Sequence, residues 1–133
     1  MSELSELARP FPDSLVKQKP GKFAASYVEH SVIVQRLLEV TGPFTFTVDQ
    51  LIRDADGTVS GCLATLSVTI DGRDVRITEA GDVEHPTSNA GQNAKSAASD
   101  ALKRCAARIG LGLHLWAGGN YYLDKALAKR DSV

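Results

Sequence analysis

Cys62-Leu63-Ala64-Thr65-Leu66-Ser67-Val68-Thr69-Ile70-Asp71-Gly72-Arg73-Asp74-Val75-Arg76-Ile77 decides the architecture. Cys62, Ala64, Leu66, Val68 and Ile70 alternate with Leu63, Thr65, Ser67 and Thr69. That is the period of a strand with one apolar face. Asp71-Gly72 is a two-residue hairpin signal, and Val75 and Ile77 resume the alternation beyond it. Upstream, Phe44, Phe46 and Val48 alternate with Thr45, Thr47 and Asp49, and Asp54-Ala55-Asp56-Gly57 reads as the intervening turn. The stretch therefore predicts an antiparallel three-stranded meander, with one apolar face and one face rich in Thr, Ser and Arg76.

Helical periods flank the meander. From Ser31, Val32, Ile33, Leu37, Leu38 and Val40 form an apolar side, with Gln35, Arg36 and Glu39 among the polar positions. Gly42-Pro43 ends that helix. On the other flank, Gly81 to Pro86 reads as a loop, and Thr87 or Ser88 can cap a long helix reaching about Ile109. Its apolar positions are Ala90, Ala94, Ala97, Ala98, Ala101, Leu102, Cys105 and Ile109, a small-residue face that can approach a sheet closely. Gly110 and Gly112 end it, His114-Leu115-Trp116 leads to Gly118-Gly119, and a short charged segment follows, helical from about Tyr121. The expected fold class is α+β: helix, three-stranded antiparallel β-meander, long helix packed on one sheet face, short C-terminal segment. Such a sheet keeps a second face and two strand edges free, which favours oligomeric association.

The chain has 133 residues, 43% of them hydrophobic and 23% charged, which suits a single domain over 1–133. No apolar run approaches the ~18 residues of a membrane span, and MSELSELARP lacks a secretory pattern. Two cysteines, Cys62 and Cys105, are too few for a disulfide scaffold, so the expectation is a reduced, cytoplasmic chain. Pro10, Pro12, Pro20 and Gly21 interrupt residues 1–22, which read as a flexible N-terminal arm carrying Arg9, Lys17, Lys19 and Lys22.

The net charge is −1, but it is unevenly spread. Segment 95–108 holds Lys95, Lys103, Arg104 and Arg108 against Asp100 alone, a local +3. Lys95, Ser99 and Lys103 recur at i, i+4, i+8, with Arg104 and Arg108 on an adjacent stripe. A cationic row opposite an alanine face suits a phosphate backbone. Equally, it suits a solvated face whose C-terminal cations complement the helix dipole.

Catalytic and metal chemistry find little support. His30, His85 and His114 sit on different elements, and no His or Cys pair has ligand spacing. Asp54-x-Asp56-Gly57 lacks the remainder of a calcium loop. Both cysteines fall on apolar sides, and no Gly-x-Ser-x-Gly elbow occurs. Gly91 to Ser96 has the Lys-Ser pair of a phosphate loop without its glycines. Glu79, Asp82 and Glu84 cluster near the last strand, with weak support for an acid–base pair. The expectation is a non-enzyme with no cofactor and no metal.

The element order and the helix together resemble a known family. Ala98-x-Asp100-Ala101-Leu102-Lys103-Arg104-Cys105, followed by Gly110, resembles the Asp-(Gly/Ala)-Leu-Lys-Arg-Ala helix of the Rad fifty-two-type single-strand DNA annealing proteins. Tyr27-Val28-Glu29 is similar to that family's Tyr-x-Glu lead into the first helix, and Gly42 with Phe46 to its glycine and aromatic before the first strand. The resemblance spans about residues 23–125. It implies an oligomer, ring or filament, that binds single-stranded DNA and anneals complementary strands in recombination and repair, with recombination proteins as further partners. The family's backbone-gripping Lys-Arg pair carries over to Lys103 and Arg104. Ala107 stands where the family often has a further arginine, with Arg108 next to it, and Pro43 where a tyrosine is common. Lys95, Arg76 and Arg73 are assigned to the same path or to a second DNA site. With eight aromatics, an electrostatic groove is favoured over a stacking platform. Two other classes stay open: a small α+β enzyme or ligand-binding domain, and a structural oligomeric adaptor without DNA binding.

Overall fold

The computed structural model describes residues 2–20 and 25–132. In chain order these form α1 (Glu3–Ala8), a 3-10 turn (Asp13–Leu15), β1 (Lys17–Gln18), β2 (Ser26–Tyr27), α2 (His30–Thr41), β3 (Thr45–Arg53), β4 (Val59–Ile70), β5 (Arg73–Asp82), α3 (Ala90–Ala107), α4 (Leu113–Ala117), a second 3-10 turn (Gly118–Asn120) and α5 (Leu123–Asp131). The α+β meander-and-helix architecture is the one the alternation predicts. β3, β4 and β5 lie side by side in that order, all antiparallel. Asp71 and Gly72 turn the central hairpin with φ of 51° and 75°. Asp49 bulges from β3, where the register shifts between Val48 and Gln50.

The apolar face of β4 carries the core. Leu66, Val68 and Ile70 meet Leu102, Cys105 and Ala106 of α3, Ile33 and Leu37 of α2, and Leu7 of α1. Farther along β4, Cys62 and Ala64 meet Ala97 and Ala101 in a tighter cluster of small side chains. There the chain has no room for a Cβ on Gly81: one would collide with the Ala97 carbonyl oxygen and approach the Ala101 nitrogen to 2.6 Å. The close approach explains why β5 runs on through Gly81 to Asp82, where the sequence reads as loop. The opposite face of the sheet is polar, with Thr65 Oγ1 donating to Asp49 Oδ2 at 2.5 Å and sharing a 2.8 Å hydrogen bond with Thr78 Oγ1. β3 lies at the margin, and its Val48, Leu51 and Ile52 stay exposed.

Two expectations are corrected. Residues 2–20 do not behave as a flexible arm: Leu7, Ala8 and Phe11 are buried, and Lys17–Gln18 pairs with Ser26–Tyr27. Pro12 leads into the 3-10 turn Asp13–Leu15, and the prolines do not prevent burial of Leu7, Ala8 and Phe11. Gly21 and Lys22 of that expected arm lie outside the described residues, as do Phe23 and Ala24 at the start of the expected 23–125 core, Met1, and Val133. The cap of α3 is Asn89 and not Thr87 or Ser88: its side chain accepts from the Gln92 N–H at 3.0 Å, while Thr87 Oγ1 accepts from the Asn89 N–H at 3.1 Å. Asn is as effective a cap as Ser, and only the three-dimensional path of the loop chooses between them. Among the described residues, no helix is long and apolar enough to cross a membrane.

Candidate nucleic-acid interface

α3 divides its residues sharply between two environments. Ala97, Ala101, Leu102, Cys105 and Ala106 are buried, which turns Ser96, Ser99, Asp100, Lys103 and Arg104 toward a common recess away from the sheet. Lys19 and residues 82–85, at the end of β5 and in the loop after it, supply the remaining walls.

Lys103 is half-buried in this arrangement. Its Nζ stands 5.5 Å from the centroid of the Tyr27 ring. Burial pushes its pKa down, opposed by the Glu29 and Asp100 carboxylates. Arg104 is held on two sides. Its Nε donates to Asp100 Oδ2 at 2.9 Å, and its guanidinium lies 5.1 Å from the centroid of the Trp116 ring. The hydrogen bond to Asp100 pushes its pKa up. Asp100 Oδ2 also accepts from the Asp82 N–H at 3.0 Å, so one carboxylate fixes Arg104 and the end of β5 together.

Three adjoining recesses share Arg104 as a wall. One, of about 310 Å³, includes Tyr27, Lys103 and Trp116. The second, of about 560 Å³, adds Ser96, Ser99 and Glu84. The third, of about 450 Å³, adds Arg108 and Glu79. Arg108 is ion-paired there, its Nε 2.5 Å from Glu79 Oε2. At the other end Lys19 Nζ reaches Glu84 Oε2 at 2.9 Å, and Lys17 Nζ reaches Glu29 Oε1 at 2.7 Å. Lys19, Arg104 and Arg108 are thus each paired with a carboxylate along the track, while Lys103 meets the Tyr27 ring.

Of the six cations singled out from the sequence, Lys103, Arg104 and Arg108 line this track. Lys95 is exposed on α3 and lines none of the three recesses. Arg76 pairs in register with Ser67 and Arg73 with Ile70, which puts the two arginines on opposite faces of β5. Arg76 lines a separate recess with Pro43, Thr45 and Ser67. Sequence reasoning missed Lys19, Tyr27 and Trp116 as neighbours of the Lys-Arg pair. The Asp100–Arg104 contact was readable as an i, i+4 pair, whereas the aromatic contacts join distant segments and leave no local signal.

Both cysteines and His114 are engaged in packing, while His30 and His85 are exposed. Cys62 and Cys105 are free and buried, and burial pushes both thiols up. His114 Nε2 accepts from the Phe11 N–H at 3.3 Å, and burial lowers its pKa. His30 Nδ1 lies 2.8 Å from Ser99 Oγ. Arg36, on the wall of a 630 Å³ recess beside Arg9 and Phe11, donates to the carbonyls of Glu6 and Arg9 at 3.1 and 2.8 Å. Among the described residues, no group of three or more His, Cys, Asp or Glu side chains could hold a metal ion.

A search of curated proteins finds no match to the chain. A family model does match, across α1 to α5 and including the Leu102-Lys103-Arg104 helix that carries the sequence resemblance, from residue 2 to residue 131. With nearly its whole length accounted for, the chain belongs to the Rad52/22 family of double-strand break repair proteins.

Proposed function

We propose that this chain binds single-stranded DNA along α3 and, as a homo-oligomer, anneals complementary strands in homologous recombination. The observation that carries the reading is the adjacency of Lys103 and Arg104 on a track of three recesses, in a chain of a double-strand break repair family. From Ser96 to Arg108 the track follows about 18 Å of helix. Lys103 and Arg104 would hold consecutive phosphates, with Arg108 at the far end once Glu79 releases it. Such contacts position a strand without reading its sequence, and base edges left free can test a second strand. Pairing then supplies about 1.4 kcal/mol per stacked step, with no covalent bond broken and no catalytic group needed. Lys95, Arg73 and Arg76 stand apart from the track; Arg76, in its own recess on the polar face of the sheet, would serve a separate DNA contact that Arg73, on the opposite face of β5, does not share.

One subunit offers few cations, so affinity would come from repetition of the track around an oligomer. The exposed Val48, Leu51 and Ile52 on the marginal strand β3 favour association there with another copy. Other recombination proteins would act before or after annealing.

The test is binding of labelled single- and double-stranded oligonucleotides across a salt series, with the subunit number measured in the same samples, followed by an annealing assay. Single strands are expected to bind more tightly, with affinity falling as salt rises. The double variant K103A/R104A should fold normally and bind every single strand more weakly, with the logarithmic salt slope reduced by about 1.4, or about 0.7 for each lost phosphate contact. Equal affinity of variant and parent would remove the Lys-Arg pair from the interface.

A further inference from the structure

We propose that Trp116 is a base-stacking post of the α3 cleft, taking one nucleobase per subunit on its indole while Lys103 and Arg104 hold the neighbouring phosphates. The inference rests on the single-strand binding reading and specifies how that site holds its ligand.

α4 is a single helical turn bracketed by Gly112 and Gly118, whose φ values of 77° and 56° let the chain reverse sharply on either side. Its side chains go to different destinations. Leu115 packs against the main core. His114 sits between Phe11 and Tyr121, with ring centroids 5.5 and 5.8 Å away. Trp116 is left 54% exposed.

A lone exposed apolar side chain is ordinary. This one stands on the shared rim of two recesses, with a cleft cation against its ring. The Arg104 contact fixes the indole beside the phosphate-binding groups and lends it a planar cationic neighbour. An exposed aromatic next to a basic track is the combination that holds single strands without sequence preference, because every base has a π-face.

The geometry points to one post and not a continuous platform. Tyr122, the other large aromatic exposed among the described residues, lines neither Trp116 recess, and Tyr27 is turned toward Lys103. One stacked base per subunit would set the strand's register while leaving the intervening bases free to pair.

The chain contains one tryptophan, so intrinsic fluorescence reports on Trp116 without a label. The experiment titrates the whole protein at low salt with an oligothymidylate and with an abasic phosphodiester strand of equal length, following both tryptophan emission and strand anisotropy. Expected are saturable quenching by the thymidylate that tracks its binding, weaker binding of the abasic strand, and no quenching by it. Trp116→Ala should lose about 5- to 150-fold in affinity for the thymidylate, with an unchanged salt slope, and Trp116→Phe should recover most of the loss. Binding of the thymidylate with unchanged emission, and equal affinity in Trp116→Ala, would overturn the stacking role while leaving the phosphate grip intact. A change in subunit number in Trp116→Ala, without quenching of the parent by DNA, would overturn it in favour of a protein contact. Absence of strand binding by the parent protein would overturn the cleft reading, and the stacking role with it.

Discussion

Lys103 and Arg104 are neighbours in sequence yet held in different surroundings. Lys103 loses hydration under Tyr27, which lowers its pKa, with Glu29 and Asp100 partly offsetting the effect. Arg104 is tied to Asp100, which raises its pKa, and a guanidinium stays charged throughout the accessible range. On the proposed binding of single strands, a phosphate at Lys103 would replace the hydration that burial removes. The sign for binding follows from the direction of the shift. A lysine with a depressed pKa sheds its proton earlier as pH rises, so single-strand affinity should begin to fall below the usual lysine range, and K103A should remove that alkaline loss. Titration of binding from neutral to alkaline pH, in parent and variant, checks it. A variant that keeps the parent's alkaline decline would assign the proton to another group.

At the scale of elements, the placement of the track depends on how closely α3 rests on the sheet. Ala97 and Ala101 admit that approach, and Gly81 completes it from below. Asn93, buried on the first turns of α3, then pins the preceding loop, its Oδ1 accepting from the Thr87 N–H at 2.9 Å and its Nδ2 donating to the Thr87 carbonyl at 2.8 Å. Gly81→Ala must push α3 outward, because both atoms it meets are backbone. The expected cost is about 3 kcal/mol, at the upper end for overpacking, read as a lowered midpoint in urea or heat. Substitution by Ala at Gly119, which has nothing near its missing Cβ and no positive φ, involves no such collision. A Gly81→Ala protein as stable as its parent would show that the helix has slack against the sheet.

For the whole molecule, the terminal helices close the fold by polar contacts. Asp71 at the β4–β5 hairpin accepts from the Glu3 N–H at 2.8 Å, and Glu3 Oε1 accepts in return from the Asp71 N–H at 2.6 Å. Asp131 on α5 accepts from the Ser2 N–H at 3.2 Å and its hydroxyl at 2.7 Å, and from the Ser5 hydroxyl. Tyr121 donates its hydroxyl to the Ala8 carbonyl. These hydrogen bonds hold the Asp131 carboxyl well below the usual carboxylate range. A depressed carboxylate stabilises the fold above its unfolded pKa, and that stabilisation is lost as pH falls through the folded value. Asp131→Asn should therefore lower the melting temperature at neutral pH, with the gap to the parent closing toward strongly acid pH. A constant gap across the acid range would mean that the charge of Asp131 plays no part.

Much of this was legible in the chain. The alternation from Cys62 to Ile77 determined the meander, the apolar period of 97–105 determined which side of α3 meets the sheet, and Leu102-Lys103-Arg104 carried the family resemblance. These are local patterns, set by the two-residue repeat of strands and the 3.6-residue turn of helices. What tertiary structure decided is what joins distant segments. It buried Leu7 and Phe11 of an N-terminal stretch that reads as an arm, chose Asn89 over its neighbours as a cap, and separated Arg73 from Arg76 across β5. It also brought Tyr27 and Trp116 to Lys103 and Arg104. Contacts across tens of residues depend on how whole elements pack, so no periodicity within one element can announce them.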